Sequence, residues 1–296
     1  MTDSLTTLQN INLDDLVTSF GWQENRFLRD LTRLIFQRQA REFARQMLLF
    51  DKGVGQSGLS QAGVTLLQSY ARSLRVVGGE NIPSGPALFL SNHPGMVDTL
   101  ALFSALDRRR DLRVIAVQRP FLAALVNTSQ YLDYLDENDR KRISLVRKVS
   151  AHLRAGGAAL TFPSGQIEPD PDVYPGAVGM LQTWTDSVEV FVRLAPETAV
   201  VPVLVRGVIW NKTARHPIVR LKRDQFERER LAAALQLLAH VAMKKRPLDV
   251  VVQIGEPVMG AEVGKGRKGA VHQAVLERME GLINHHAAED QGARIF

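Results

Sequence analysis

From Leu5 to about Phe50, apolar residues recur at helical spacing amid Arg and Gln: Leu16 and Phe20, then Phe27, Leu31, Leu34 and Ile35, then Phe43, Met47 and Phe50. This pattern predicts helices with one apolar face. Gly53 to Ser60, carrying Gly55, Ser57 and Gly58, reads as a connecting loop before a further helix over 61–73. From Arg75 onward the pattern changes. Short apolar runs at 75–77, 87–90, 112–117, 158–162, 199–205 and 248–254 read as strands, and they alternate with helical periodicity after Gly95 and over 144–153, 224–243 and 271–283. The alternation predicts an α/β fold, a mixed sheet flanked by helices with a helical N-terminal segment. The expected division is a helical segment over 1–74 and an α/β domain over 75–296.

Chemistry concentrates where two of these strands end. The run Ala87 to Leu90 leads into Ser-Asn-His-Pro-Gly and then a helical pattern carrying Asp98. His93 therefore sits where a strand hands over to a helix. A histidine there can act as a general base, and a carboxylate about one helical turn further on can fix its tautomer and stabilise its protonated form. The spacing by itself also fits a structural histidine. The second strand end, Ala158 to Glu168 (AALTFPSGQIE), repeats the design: an apolar strand runs into a Pro and Gly turn whose backbone N–H groups can hold an anion or a developing oxyanion.

Together the two blocks resemble the glycerolipid acyltransferases, the superfamily of glycerol-phosphate and lysophosphatidate acyltransferases. Its first block is N-H-x-x-x-x-D and its third F-P-E-G-T-R; here they read NHPGMVD and FPSGQI. A late apolar strand with V-P-V, residues 198–203, is similar too. The resemblance implies that His93 is the base and Asp98 its partner, and that Phe162, Pro163, Ser164, Gly165 and Gln166 line the substrate site. Arg119, at a strand end, and Arg140, in an Asp-Arg pair, match places where the family carries basic residues. Where the family has Glu, Thr and Arg in the third block, this chain has Ser164, Gln166 and Ile167. Glu168 is the nearest acid, but its offset does not allow a direct substitution. The family's Glu and Arg are tied to a glycerol-phosphate acceptor, so a phosphate-bearing acceptor is not expected to be favoured here.

The implied activity is transfer of a fatty acyl group from an acyl thioester, acyl-CoA or acyl-carrier protein, to a lysolipid or related lipid acceptor. The alternative is a catalytically silent lipid- or carrier-binding protein on the same scaffold. No cofactor is expected, and the histidines show no ligand spacing, so neither is a metal. With no Cys in the chain, neither a disulfide nor a cysteine nucleophile is available.

Net charge is +6, with basic clusters at 108–110, 140–142, 222–223, 244–246 and 265–268. Such clusters attract anionic surfaces, at about 1 kcal/mol per base near an anionic leaflet. Trp22 and Phe27, with Arg26, Arg29 and Arg33 nearby, could anchor an interfacial helix; the alternative is a helical cap packed on the α/β domain. Aromatics are 6% of residues and do not interleave with the basic clusters, so a nucleic-acid partner is not expected. No apolar run approaches the roughly 20 residues of a membrane span, and the N-terminus lacks a basic-then-apolar leader. The expected location is cytoplasmic, with peripheral association to an anionic membrane.

Overall fold

The run Ala199–Arg206 is buried at all eight positions, as its unbroken Val-rich sequence requires of a strand covered on both faces. Around it a computed structural model describes residues 2–136, 138–222, 224–243, 246–260, 269–285 and 292–296. The sheet is built from β1 (Ala71–Val77), β2 (Ala87–Ser91), β3 (Arg113–Val117), β4 (Leu132–Leu135), β5 (Ala158–Thr161), β6 (Ala199–Arg206), β7 (Leu248–Ile254), β8 (Val258–Met259) and β9 (Ala293–Arg294). Their order is β4-β3-β5-β2-β6-β7-β1-β9, with β8 also paired to β6. The strands β4, β3, β5, β2 and β6 are mutually parallel, and β7 pairs antiparallel with β6. The fold is therefore mixed α/β, and β2, β3, β4, β5 and β6 all end at the same edge.

Alternation along the strands sends side chains to two cores. Phe89, Leu160, Val201, Val203, Val250 and Val252 face one layer, formed by α1 (Thr2–Phe20), α2 (Arg26–Leu67) and α3 (Met96–Ala105). Leu88, Leu90, Ala159, Val200 and Leu204 face the helices Asp139–Arg154, Ser187–Leu194 and Ala270–Asn284. Pro202 is tolerated inside β6 because its missing N–H falls in a gap. On that side β6 pairs with β8 through Val200 and with β7 only from Val203 onward.

The structure corrects three local expectations. Residues 53–57 and 59–60 are helical, and the expected loop shrinks to a corner at Gly58, whose φ of 83° demands glycine. Gly53 packs against Ala62 across that corner, and the buried Phe50, Val54 and Leu59 keep both arms on the core. β1 begins at Ala71 and not at Arg75, because Ser73 and Arg72 both engage Asp249 on β7. Of the two readings of Trp22, the packed cap is the one its contacts match: it stacks on Phe20 at 4.6 Å, closing a small core between the N-terminal helices and helix Gln225–Met243. Arg109, in an expected surface cluster, is 6% exposed. Its guanidinium bridges the carbonyls of Pro83, Gly85 and Gly156 and the Asp111 carboxylate. Arg223, Lys244, Lys245 and the cluster at 265–268 lie outside the described residues.

Candidate active site

β2 ends at Ser91, and Asn92 extends its pairing by side chain alone. Its amide donates to Val205 O at 2.9 Å and accepts from Val205 N–H at 2.8 Å. The backbone is thereby free to leave the sheet one residue later, which projects His93 from the strand end. His93 Nδ1 lies 2.8 Å from Asp98 Oδ2. Asp98 is fully buried and also accepts from Gly95 N–H at 3.0 Å, from Thr99 Oγ1 at 3.1 Å and from Thr99 N–H. Its place in the first turn of α3 explains this convergence: it caps the helix and holds the imidazole at once. The His93 side chain stays 31% exposed. Burial lowers the proton affinity of the ring, but the charge and hydrogen bond of Asp98, with a contribution from Glu168, outweigh it and leave the pKa above the ordinary imidazole value.

β5 lies beside β2, so its turn meets the same place. Phe162 sets its ring 4.7 Å from the His93 ring, centroid to centroid. Gly165, at φ 66°, closes the turn with its N–H on Phe162 O at 3.1 Å, and Gln166 N–H points to Ser164 Oγ at 3.4 Å. The Gly165 and Gln166 N–H groups thus have acceptors inside the turn. Pro163 is buried, and Ser164 and Gln166 are half-buried. Glu168, set aside on its offset, comes back to this turn. It is 3% exposed, accepts from Ser164 Oγ at 2.7 Å and from Trp184 Nε1 at 3.1 Å, and its N–H donates to His93 O at 2.9 Å. Burial pushes its carboxyl up to about 7, against the opposing pull of Ser164, Trp184 and His93.

The acyltransferase family model matches residues 73–206, the stretch that carries both strand ends. Residues 73–206 belong to the acyltransferase family. No curated protein matches the chain. Among solved structures it is similar to a 1-acyl-sn-glycerophosphate acyltransferase, PlsC, from Thermotoga maritima. The identity is 16% and the TM-score 0.43, over 97% of this chain and 96% of that one.

Within the acyltransferase region, Arg119 follows β3 and caps the short helix Pro120–Ala123, and Arg140 lies in the first turn of helix Asp139–Arg154, beyond β4. Both are exposed. They share the sheet edge of His93 but stand at successively more distant strands, so the fold aligns the matched residues without bringing the two arginines into contact with His93 or Ser164. The side chain of Asp139, the other half of the Asp-Arg pair, lies outside the described residues. Two surface depressions, of about 410 and 640 Å³, open near Gly78 and near Arg109. They lie toward the opposite sheet edge and contain none of the residues above.

Asp170 fixes the end of β6 in the acyltransferase region. It is fully buried and accepts from the N–H groups of Gly207 (3.1 Å), Val208 (2.8 Å), Ile209 (2.9 Å) and Asp172 (3.1 Å). Burial, reinforced by Asp172 and opposed by these N–H groups, raises its carboxyl to about 6. Asp170→Ala strands several buried N–H groups, each worth about 1–3 kcal/mol when unsatisfied. The expected loss is on the order of 3 kcal/mol, read as a lower urea midpoint at unchanged m-value. Sequence reasoning missed Asn92, Glu168 and Asp170 as parts of this end of the sheet. The acid-proline run Glu168-Pro169-Asp170-Pro171-Asp172 was the available signal.

Proposed function

We propose that this protein transfers a fatty acyl group from an acyl thioester to a lysolipid or related lipid acceptor. The observation that carries the reading is the 2.8 Å contact between His93 Nδ1 and the buried Asp98 carboxylate, at the strand end of an acyltransferase-family region. Asp98 accepts from Nδ1–H, so Nε2 keeps its lone pair for substrate. His93 Nε2 then removes the proton of the acceptor hydroxyl as that oxygen attacks the thioester carbonyl. Collapse of the tetrahedral intermediate breaks the carbon–sulfur bond, and the imidazolium returns its proton to the leaving thiolate. Asp98 stabilises the imidazolium in between. The transfer is direct, with no acyl-enzyme. Incubation with acyl-CoA or acyl-carrier protein and a panel of lysolipids, followed by mass spectrometry, tests it. An acylated lipid is expected; lipid binding without any product would favour the catalytically silent alternative.

The acceptor follows from the third block. Ile167 offers no counterpart to a guanidinium, whose hydrogen bonds to a charged group are worth about 1.5–3 kcal/mol. Arg119 and Arg140 approach from more distant strand ends. Glycerol 3-phosphate and lysophosphatidate should therefore show no large advantage in kcat/KM over acceptors without a terminal phosphate. A strong preference for either would point to Arg119 or Arg140 as the missing cation.

A membrane surface is the proposed source of the lipid acceptor. Among the described residues no helix is long and apolar enough to cross a bilayer. Phe27, Leu31, Leu34 and Ile35 are exposed on one face of α2, with Arg26 and Arg38 beside them. Phe43 stacks on Phe121, just beyond the end of β3, while the Gly58 corner lies near Leu112, before its start. The first turns of α2 therefore extend past the sheet edge that carries His93. An apolar strip flanked by arginines suits an anionic interface. Liposome co-sedimentation should show stronger binding to anionic than to neutral vesicles, weakening with salt as surface charges are screened.

A further inference from the structure

Glu168 is buried among groups that link both halves of the site, and the general-base mechanism above makes no use of it. Its Oε1 accepts from Ser164 Oγ, the side chain standing where the family's third block has glutamate. Its Oε2 accepts from Trp184 Nε1, in the buried layer below. Its backbone N–H holds His93 O. We propose that Glu168 is a positioning residue of the His93 site, its carboxylate tying the Phe162–Gly165 turn to the loop that carries His93 and placing a second negative charge within range of the imidazole. Glu168 lies four positions after Ser164, but the turn at Gly165 folds the segment back so that its carboxylate reaches the Ser164 hydroxyl. The chain thus restores an acid to the third block from a different position.

The contacts specify what this residue does. The Ser164 link fixes the turn that sets the Phe162 ring against His93. Among the described residues, the charged groups acting on His93 are Asp98 from α3 and Glu168 from the turn, and the one acting on Glu168 is His93. Ser164 on its own segment and Trp184 from the neighbouring turn face Glu168 as uncharged donors. Removing the charge while keeping the shape must therefore lower the proton affinity of His93, whereas a purely structural acid would leave it alone.

Because the inference rests on His93 as general base, its test needs a readout that does not depend on turnover. The NMR titration of the His93 imidazole in the full-length protein supplies one, and the pH profile of kcat/KM with acyl-CoA and a lysolipid supplies the other. In Glu168→Gln the His93 midpoint is expected to move to lower pH, and the acid limb of kcat/KM to move with it. Glu168→Gln should also lower kcat by about 10- to 100-fold, the scale of a misplacement of about 1 Å. A folded Glu168→Gln protein with both midpoints in place overturns the proposal. If that variant does not fold, Ser164→Ala cuts the link and removes a donor that favours the charged carboxylate: kcat should fall and the His93 midpoint should again move to lower pH, and an unchanged kcat overturns the proposal. A shifted His93 midpoint in a protein whose wild type transfers no acyl group would leave the Glu168 coupling standing and defeat the assigned activity instead.

Discussion

His93→Ala should lower kcat/KM for acyl transfer by about 10²- to 10⁴-fold, the usual contribution of a positioned general base. Folding should be largely kept, since the side chain is 31% exposed. Steady-state kinetics beside a thermal melt separate the two effects; wild-type turnover in the folded variant would remove His93 from the mechanism. The pH dependence has a definite sign. The base must be neutral to accept a proton, and Asp98 with Glu168 holds its pKa above the ordinary imidazole value against the opposing effect of burial. Wild-type kcat/KM should therefore rise with pH on a limb lying above that ordinary value. The same pair stabilises the folded state below the unfolded histidine pKa, a contribution lost as pH rises through the raised value. His93→Ala should cost more stability in mildly acidic than in mildly basic buffer.

Asp98→Asn should be comparably severe for activity and also costly for the fold. The carboxylate accepts from His93 Nδ1, Gly95 N–H, Thr99 N–H and Thr99 Oγ1 in a place closed to solvent. An amide keeps only one acceptor oxygen. Its NH₂ must face either His93 and Gly95 or the two Thr99 donors, so two buried donors lose their acceptor at about 1–3 kcal/mol each. If the NH₂ faces Nδ1, the imidazole carries its proton on Nε2 and presents a donor to the acceptor hydroxyl where a base is needed. In a serine-protease triad the equivalent change costs about 10⁴-fold. Kinetics and urea denaturation on one preparation check both halves, and an active, fully stable Asp98→Asn protein would contradict this account of the pair.

The sequence alone determined the elements whose signal is local. Alternation of apolar runs with helical periodicity located β2, β3, β5, β6 and β7 and the mixed α/β class, because a strand buried on both faces must read as an apolar run. The pair His93 and Asp98 was legible for the same reason: the base and its partner lie five positions apart, and one strand-to-helix turn brings them together.

Where the determining contacts join distant segments, the tertiary structure decided. The Gly58 corner in α2 depends on packing across it, and Arg109 is drawn inward by three carbonyls from two other segments. Asn92 acquires its role from Val205, 113 residues away, which supplies both the donor and the acceptor that its amide needs. Sequence offset excluded Glu168 from the third block, yet Gly165 at positive φ reverses the chain and returns its carboxylate to Ser164. Offset along the chain measures distance only in extended or helical backbone, and a turn at glycine breaks that relation. The adjacency of β5 and β2, which makes one site of two strand ends, is likewise a property of the sheet order, set by how all the strands bury their faces together.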